Sequence, residues 1–190
     1  NFVMSMGLRS QAPMVALVPR RGPAFRIDRY EYPNQAGALP TTGVPVHEAE
    51  AICEAEGKHL CTAYEWFEAC SENGRHKFLF PGANEFGDSL NRLIDTCNLE
   101  RTGLPQKLAP SGSYEGCHGP PELYDMVGNA YEWVVLYPGT ELYALSGSYY
   151  GYSDAMTTQC GFHTLVHSEQ VGLIDLDAVG FRCCQTEETP

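Results

Sequence analysis

Apolar and polar positions alternate over Phe25-Arg26-Ile27-Asp28-Arg29-Tyr30, and a period of two predicts a short strand with one face inward. The pattern then becomes helical. Val46, Ala49, Ile52 and Cys53 fall on one stripe while Glu48, Glu50 and Glu54 face water, which predicts a helix over 46–56 closed by Gly57. A second helix opens at Thr62, where Glu65 three residues on completes a capping box. Trp66, Phe67, Ala69 and Cys70 supply its apolar side, with Trp66 as a core anchor, and Asn73-Gly74 end it. From Phe78 to Pro121 glycine and proline punctuate the chain so often that the reading is a long irregular run. Val134-Val135-Leu136-Tyr137 and Phe181-Arg182-Cys183 read as strands. The elements predict an α+β fold with two helices, short antiparallel strands and much loop.

A chain of 190 residues suits one domain with a sizeable core. The pattern divides it into an arm over 1–24, a domain over 25–184 and an acidic tail over 185–190. The arm carries one apolar piece, Met14-Val15-Ala16-Leu17-Val18, read as a strand able to dock on a neighbour. Twelve Lys and Arg against 24 Asp and Glu give a net charge of -12, which argues against nucleic acid or an anionic membrane surface as partner. No apolar run approaches the roughly eighteen residues of a membrane span. The chain starts at Asn1 without the basic and apolar regions of a signal peptide. The expectation is a cleaved or missing upstream segment, either a signal or an anchor.

Eight cysteines, an even number, point to a disulfide framework made in an oxidising compartment. Zinc is the rival, but no Cys-x-x-Cys pair is present. Cys97 and Cys117 bracket the irregular run, and a bridge there would close a loop worth about 3 kcal/mol on the chain-entropy estimate.

The densest stretch is Leu123-Tyr124-Asp125-Met126-Val127-Gly128-Asn129-Ala130-Tyr131-Glu132-Trp133. Asp125 and Glu132 lie either side of Gly128 and Asn129, which let the backbone turn tightly. Such a loop can offer side-chain and main-chain oxygens to one hard cation, a set that suits calcium. A buried turn whose carboxylates cap backbone amides is the other reading. Tyr143, Tyr149, Tyr150 and Tyr152 cluster in sequence, as a ligand surface or as core and turn packing. His163 and His167, four apart, would share a helix face as a metal pair, with no evident third ligand. No Gly-x-Ser-x-Gly elbow or Ser-His-Asp order is visible, and Ser146-Gly147-Ser148 reads as a turn.

The stretch 123–133 closely resembles the signature of the formylglycine-generating enzyme (sulfatase-modifying factor) family. Three other segments, in the family's order, are similar to it. Phe25-Arg26-Ile27-Asp28-Arg29-Tyr30-Glu31 resembles the opening strand. Gly57-Lys58-His59-Leu60-Cys61-Thr62-Ala63-Tyr64-Glu65-Trp66 resembles Gly-Lys-Arg-Leu-Pro-Thr-Glu-Ala-Glu-Trp, and Val179-Gly180-Phe181-Arg182-Cys183 the Gly-Phe-Arg-Cys terminus. The resemblance implies the loop-rich formylglycine-generating-enzyme fold, related to C-type lectin-like domains.

For the cysteines the resemblance implies Cys53 with Cys183 and Cys70 with Cys160. The remaining four then give Cys97 with Cys117 and Cys61 with Cys184, with Cys183 and Cys184 exchangeable. It also implies calcium at Asp125 and Glu132 through carboxylates and at Gly128 and Ala130 through carbonyls. A second family calcium site would begin at Asn98-Leu99, but its later ligands are missing. Active members hold copper(I) with two cysteines, and Gly151 and Met156 stand at those positions, so no copper thiolate and no catalytic residue is expected. The resulting expectation is a non-catalytic, disulfide- and calcium-stabilised subunit of an extracytoplasmic assembly, periplasmic or secreted, with other protein subunits as partners. The alternatives are a metal-dependent oxidoreductase with a rearranged site around Cys160, His163 or His167, and a lectin-like binder.

Overall fold

The computed structural model describes residues 13–77, 79, 86–101, 107–119, 122–153, 156–166 and 176–187, without the side chains of 86–90. Strands β1 (Met14–Leu17) and β2 (Phe25–Asp28) pair antiparallel. Thus Met14–Leu17 joins the domain's own sheet instead of reaching out as an arm, and residues 1–12 lie outside the description. Ile27 is fully buried and Phe25 nearly so, as the alternation requires. Asp28, also buried, breaks that alternation because Lys58 Nζ and Asn34 Nδ2 donate to its Oδ1 at 2.8 and 2.9 Å.

Helix α1 (Val46–Ala55) buries Val46, Ala49 and Cys53, and Gly57 follows it with φ of 73°. Strand β3 (His59–Leu60) leads to helix α2 (Ala63–Cys70). The capping box forms: Glu65 N donates to Thr62 Oγ1 at 3.1 Å, and Thr62 N donates to Glu65 Oε2 at 2.9 Å. The run read as irregular contains a third helix, α3 (Phe86–Thr96). Phe86, Leu90, Leu93 and Ile94 form a helical stripe that Gly87 and the polar neighbours disguise, and Leu93 is fully buried.

Short strands β4 (His118–Gly119) and β5 (Leu123–Tyr124) pair with each other. Strand β6 (Tyr131–Val135) begins three residues earlier than its apolar run, inside the dense motif. Its buried Glu132 hides the strand signal. Strands β7 (Tyr143–Ser146) and β8 (His163–Val166) complete an antiparallel meander with β6. A single helical turn, Leu176–Ala178, precedes β9 (Val179–Gly180), which pairs parallel to β6. Strand β10 (Cys183–Thr186) lies between β2 and β3 and runs into the stretch assigned to the tail; residues 188–190 lie outside the description. The two larger sheets are ordered β1-β2-β10-β3 and β8-β7-β6-β9.

Two apolar clusters fill the interior, one holding Trp66 and the other Trp133. Four bridges fasten the elements: Cys53–Cys183, Cys61–Cys184, Cys70–Cys160 and Cys97–Cys117. The adjacent Cys183 and Cys184 can serve different partners because successive strand residues point to opposite faces. No described helix is long and apolar enough to cross a membrane.

Candidate functional site

The dense motif is held by close backbone contacts that leave no room for a side chain at Gly128. Gly128 has φ of 82°, and a Cβ there would meet Asn98 O at 2.6 Å. Its N–H donates to Gly147 O at 2.7 Å, and Asn129 N donates to Asn98 O at 2.8 Å. Asn129 then spends its whole amide. Its Nδ2 donates to Glu31 Oε2 at 2.9 Å and to Ala109 O at 3.1 Å, while its Oδ1 accepts from Asn98 Nδ2 and Ala109 N, each at 2.9 Å. Asn98, the start of the second family site, is thereby bound into this network, and residues 102–106 beyond it lie outside the description.

The turn delivers Asp125 and Glu132 to a buried charge centre around Arg182, which is wholly inaccessible. Arg182 Nε donates to Glu132 Oε2 at 2.7 Å and its Nη2 to Oε1 at 2.6 Å, the bidentate geometry that a planar guanidinium favours. The remaining guanidinium donors reach the carbonyls of Asp28 and Tyr124 at 3.2 and 3.0 Å. Trp66 Nε1 donates to Glu132 Oε2 at 2.8 Å, tying α2 to the same carboxylate. Asp125 Oδ2 accepts from Gly112 N at 2.6 Å, and Glu31 Oε2 from Ser111 Oγ at 2.7 Å.

Three buried carboxylates therefore face one buried guanidinium. Burial, with the Asp125 and Glu132 carboxylates adding to it, pushes Glu31 well above the usual carboxylate range. Burial raises Asp125 to about 6 against the Gly112 amide and Arg182, which favour its charged form. In charge the centre suits a cation. In free oxygen it is narrower: of about four lone-pair sites on a carboxylate, Glu132 has three filled and Asp125 one. Asp125 thus keeps most of its lone-pair sites without a partner among the described residues, whereas Glu132 keeps about one. Glu31 and Arg182 belong to the centre although neither was assigned a role from sequence. Both stood inside motifs quoted for the fold, and an acid closing an apolar strand was the available signal.

The copper positions present a different surface. Tyr149 lies against Tyr131, Tyr150 and Tyr152, with ring centroids 5.1, 5.4 and 6.5 Å apart. A Cβ on Gly151 would stand 2.7 Å from Tyr149 Cε2, so the tyrosine ring fills the space a larger residue would take. Met156 is 58% exposed, and 154–155 lie outside the description. Tyr143 does not join this cluster. It is buried on β7, its hydroxyl donates to Glu50 Oε2 at 2.9 Å, and burial together with that carboxylate holds its phenol far above the ordinary range. Tyr143 lies on β7, while the other three rings follow the turn at Gly147 and Ser148, whose φ values of 90° and 63° lead the chain off the strand.

His163 opens a strand, not the helix that a His163/His167 face requires, and His167 lies outside the description. His163 Nδ1 is 2.6 Å from Ser146 Oγ and packs edge-on to Trp66, and burial depresses its pKa. Cys160 is bridged to Cys70 and offers no thiolate.

The geometry is that of an α+β formylglycine-generating-enzyme scaffold. Residues 9–187 match the sulfatase-modifying factor enzyme 1-like domain, and the chain belongs to that family. Among solved structures, PvdO from Pseudomonas aeruginosa is similar at a TM-score of 0.60 and 15% identity over 92% of each chain. CarF is similar at 0.54 and 16% over 87% of each. Treponema denticola variable protein 1 is similar at 0.64 and 12%, over 92% of this chain and 95% of that one. At these identities the likeness concerns the fold. No curated protein matches. The four disulfides are the kind of framework that an oxidising, extracytoplasmic environment supports.

Proposed function

We propose that the protein is a non-catalytic member of its family, a calcium-stabilised binding or structural subunit of an extracytoplasmic assembly. The observation that carries this reading is the state of the family's copper positions. Gly151 is packed by the Tyr149 ring, Met156 offers only an exposed thioether, and all eight cysteines are in bridges. Copper(I) selects thiolates, and this chain presents none. Calcium is supported by the excess of buried carboxylate around Arg182, and its role is to stabilise the loop that carries Asp125, Gly128, Ala130 and Glu132. The partners are other protein subunits.

Two measurements test the reading. Copper-dependent oxygen consumption with a cysteine-containing peptide is expected to be absent, and its detection sinks the non-catalytic proposal. Calcium added to chelator-treated protein is expected to raise the melting temperature in a concentration-dependent way, by mass action on the native state. An unchanged melting temperature removes calcium from the proposal and leaves the rest standing.

A lectin-like reading has its own support. Tyr149, Tyr150 and Tyr152 remain partly exposed, and Tyr152 is 39% accessible. Aromatic rings at a surface can stack on a ligand. A glycan array read with the wild type and Tyr152→Ala decides it: ring-dependent binding supports a lectin-like role, and a blank array leaves the subunit reading.

A further inference from the structure

A second concave region is a cleft of about 480 Å³ between α1, the start of α2, the 19–23 segment and the turn after β6. Its size falls within the range of small-ligand sites. The floor is apolar, made by Phe25, Leu60 and Val135, which are 2%, 2% and 6% exposed. One wall is stapled in place by Tyr64, whose hydroxyl donates to Arg21 O at 2.9 Å and accepts from Arg21 N at 3.3 Å.

Charge is unevenly distributed around this floor. Glu65 is satisfied internally, by Thr62 N and by His59 Nε2, which lies 3.0 Å from each of its oxygens. Glu50 is half committed, its Oε2 taking the Tyr143 hydroxyl and His47 while its Oε1 has no partner among the described residues. Glu54 has no side-chain partner among the described residues. Glu50 and Glu54 are four apart on α1 and so share a face. Arg21 on the opposite wall is the single free cation lining the cleft among the described residues.

We propose that this cleft binds a compact organic cation with an apolar body, an ammonium, amidinium or guanidinium group seated against Glu50 and Glu54 with its body on the Phe25–Leu60–Val135 floor. The same chemistry is offered by a free amine and by a lysine or arginine side chain of a partner. The inference stands apart from the subunit reading, since neither the copper positions nor the calcium loop takes part in it.

The test uses the intact chain and isothermal titration with benzamidine, against its uncharged isostere benzamide. Benzamidine is expected to bind, and benzamide to bind at least about fivefold more weakly, the scale of one partly exposed charge pair. Glu54→Gln is expected to weaken benzamidine by about fivefold, and Arg21→Gln, which removes the opposing charge, to strengthen it. Neither side chain carries a structural partner among the described residues, so both variants are expected to keep the native melting temperature. Equal binding of the two probes, no binding of either, or weakening by Arg21→Gln overturns the proposal. A capped Gly-Arg-Gly peptide then separates the sources: tighter binding than benzamidine assigns a partner's side chain, weaker binding a free amine.

Discussion

Two neighbouring stretches of this chain have answered to different constraints. The 123–133 motif turns inward, and nearly every polar atom in it has a named partner: Asn129 makes a full set of hydrogen bonds and Glu132 is shared by Arg182 and Trp66. Residues 149–153 are partly or fully exposed, and the Tyr149, Tyr150 and Tyr152 rings contact one another and Tyr131. A substitution in the first strands buried charge or collides with backbone. At Gly151 in the second it meets the edge of the Tyr149 ring. The difference shows that the 123–133 part of the family signature is mostly the wiring of a buried ion cluster, a matter of fold more than of chemistry.

The contrast is broken most directly at Arg182. Arg182→Met leaves Glu31, Asp125 and Glu132 without their guanidinium, and the expected cost is about 4 kcal/mol, seen as a melting temperature lower by about 10 °C or as failure to accumulate. A loss below about 1 kcal/mol would show that the cluster is not the scaffold's centre.

Two glycines sharpen it next. At Gly128 a methyl group meets the Asn98 carbonyl at 2.6 Å with φ of 82°, so Gly128→Ala is expected to cost about 3 kcal/mol. At Gly151 the obstacle is the Tyr149 ring edge at 2.7 Å, which can swing aside, so Gly151→Ala is expected to cost less than about 1 kcal/mol. Chemical denaturation of both variants checks the pair, and comparable losses erase the distinction between the stretches.

The smallest effect is a pH slope. His163 is buried against Ser146 and Trp66, and burial holds its pKa below the ordinary 6.5. The unfolded chain then binds more protons than the native one, so this stability is complete above pH 6.5 and declines as pH falls below it. His163→Gln is expected to flatten the dependence of melting temperature on pH between about 7.5 and about 5. An unchanged slope assigns it to other groups.

Much of this arrangement was legible before any coordinates. The capping box at Thr62, the stop at Gly57 and the helix over 46–56 are local devices whose chemistry is written in adjacent residues. Helix α3 was hidden because its stripe is thin and Gly87 reads as a break. Strand β6 was hidden at its start because Glu132, a charge on an inward position, imitates the end of a strand. Arg182 and Glu31 could be quoted but not given roles, since their meeting depends on chain segments far apart in sequence. Tyr143 was grouped with its sequence neighbours, but it lies on β7 and they follow the turn at Gly147 and Ser148.

Strand β10 bears on how the protein meets peptidases. Its Cys183 and Cys184 reach back to Cys53 and Cys61, with sequence separations of 130 and 123. Any single cut between residues 62 and 182 therefore yields two pieces that stay joined by at least these two covalent clasps, with Cys70–Cys160 adding a third where the cut falls between those cysteines. On a non-reducing gel such a nicked molecule keeps its full mass, and its exposed connections can be trimmed without setting either half free.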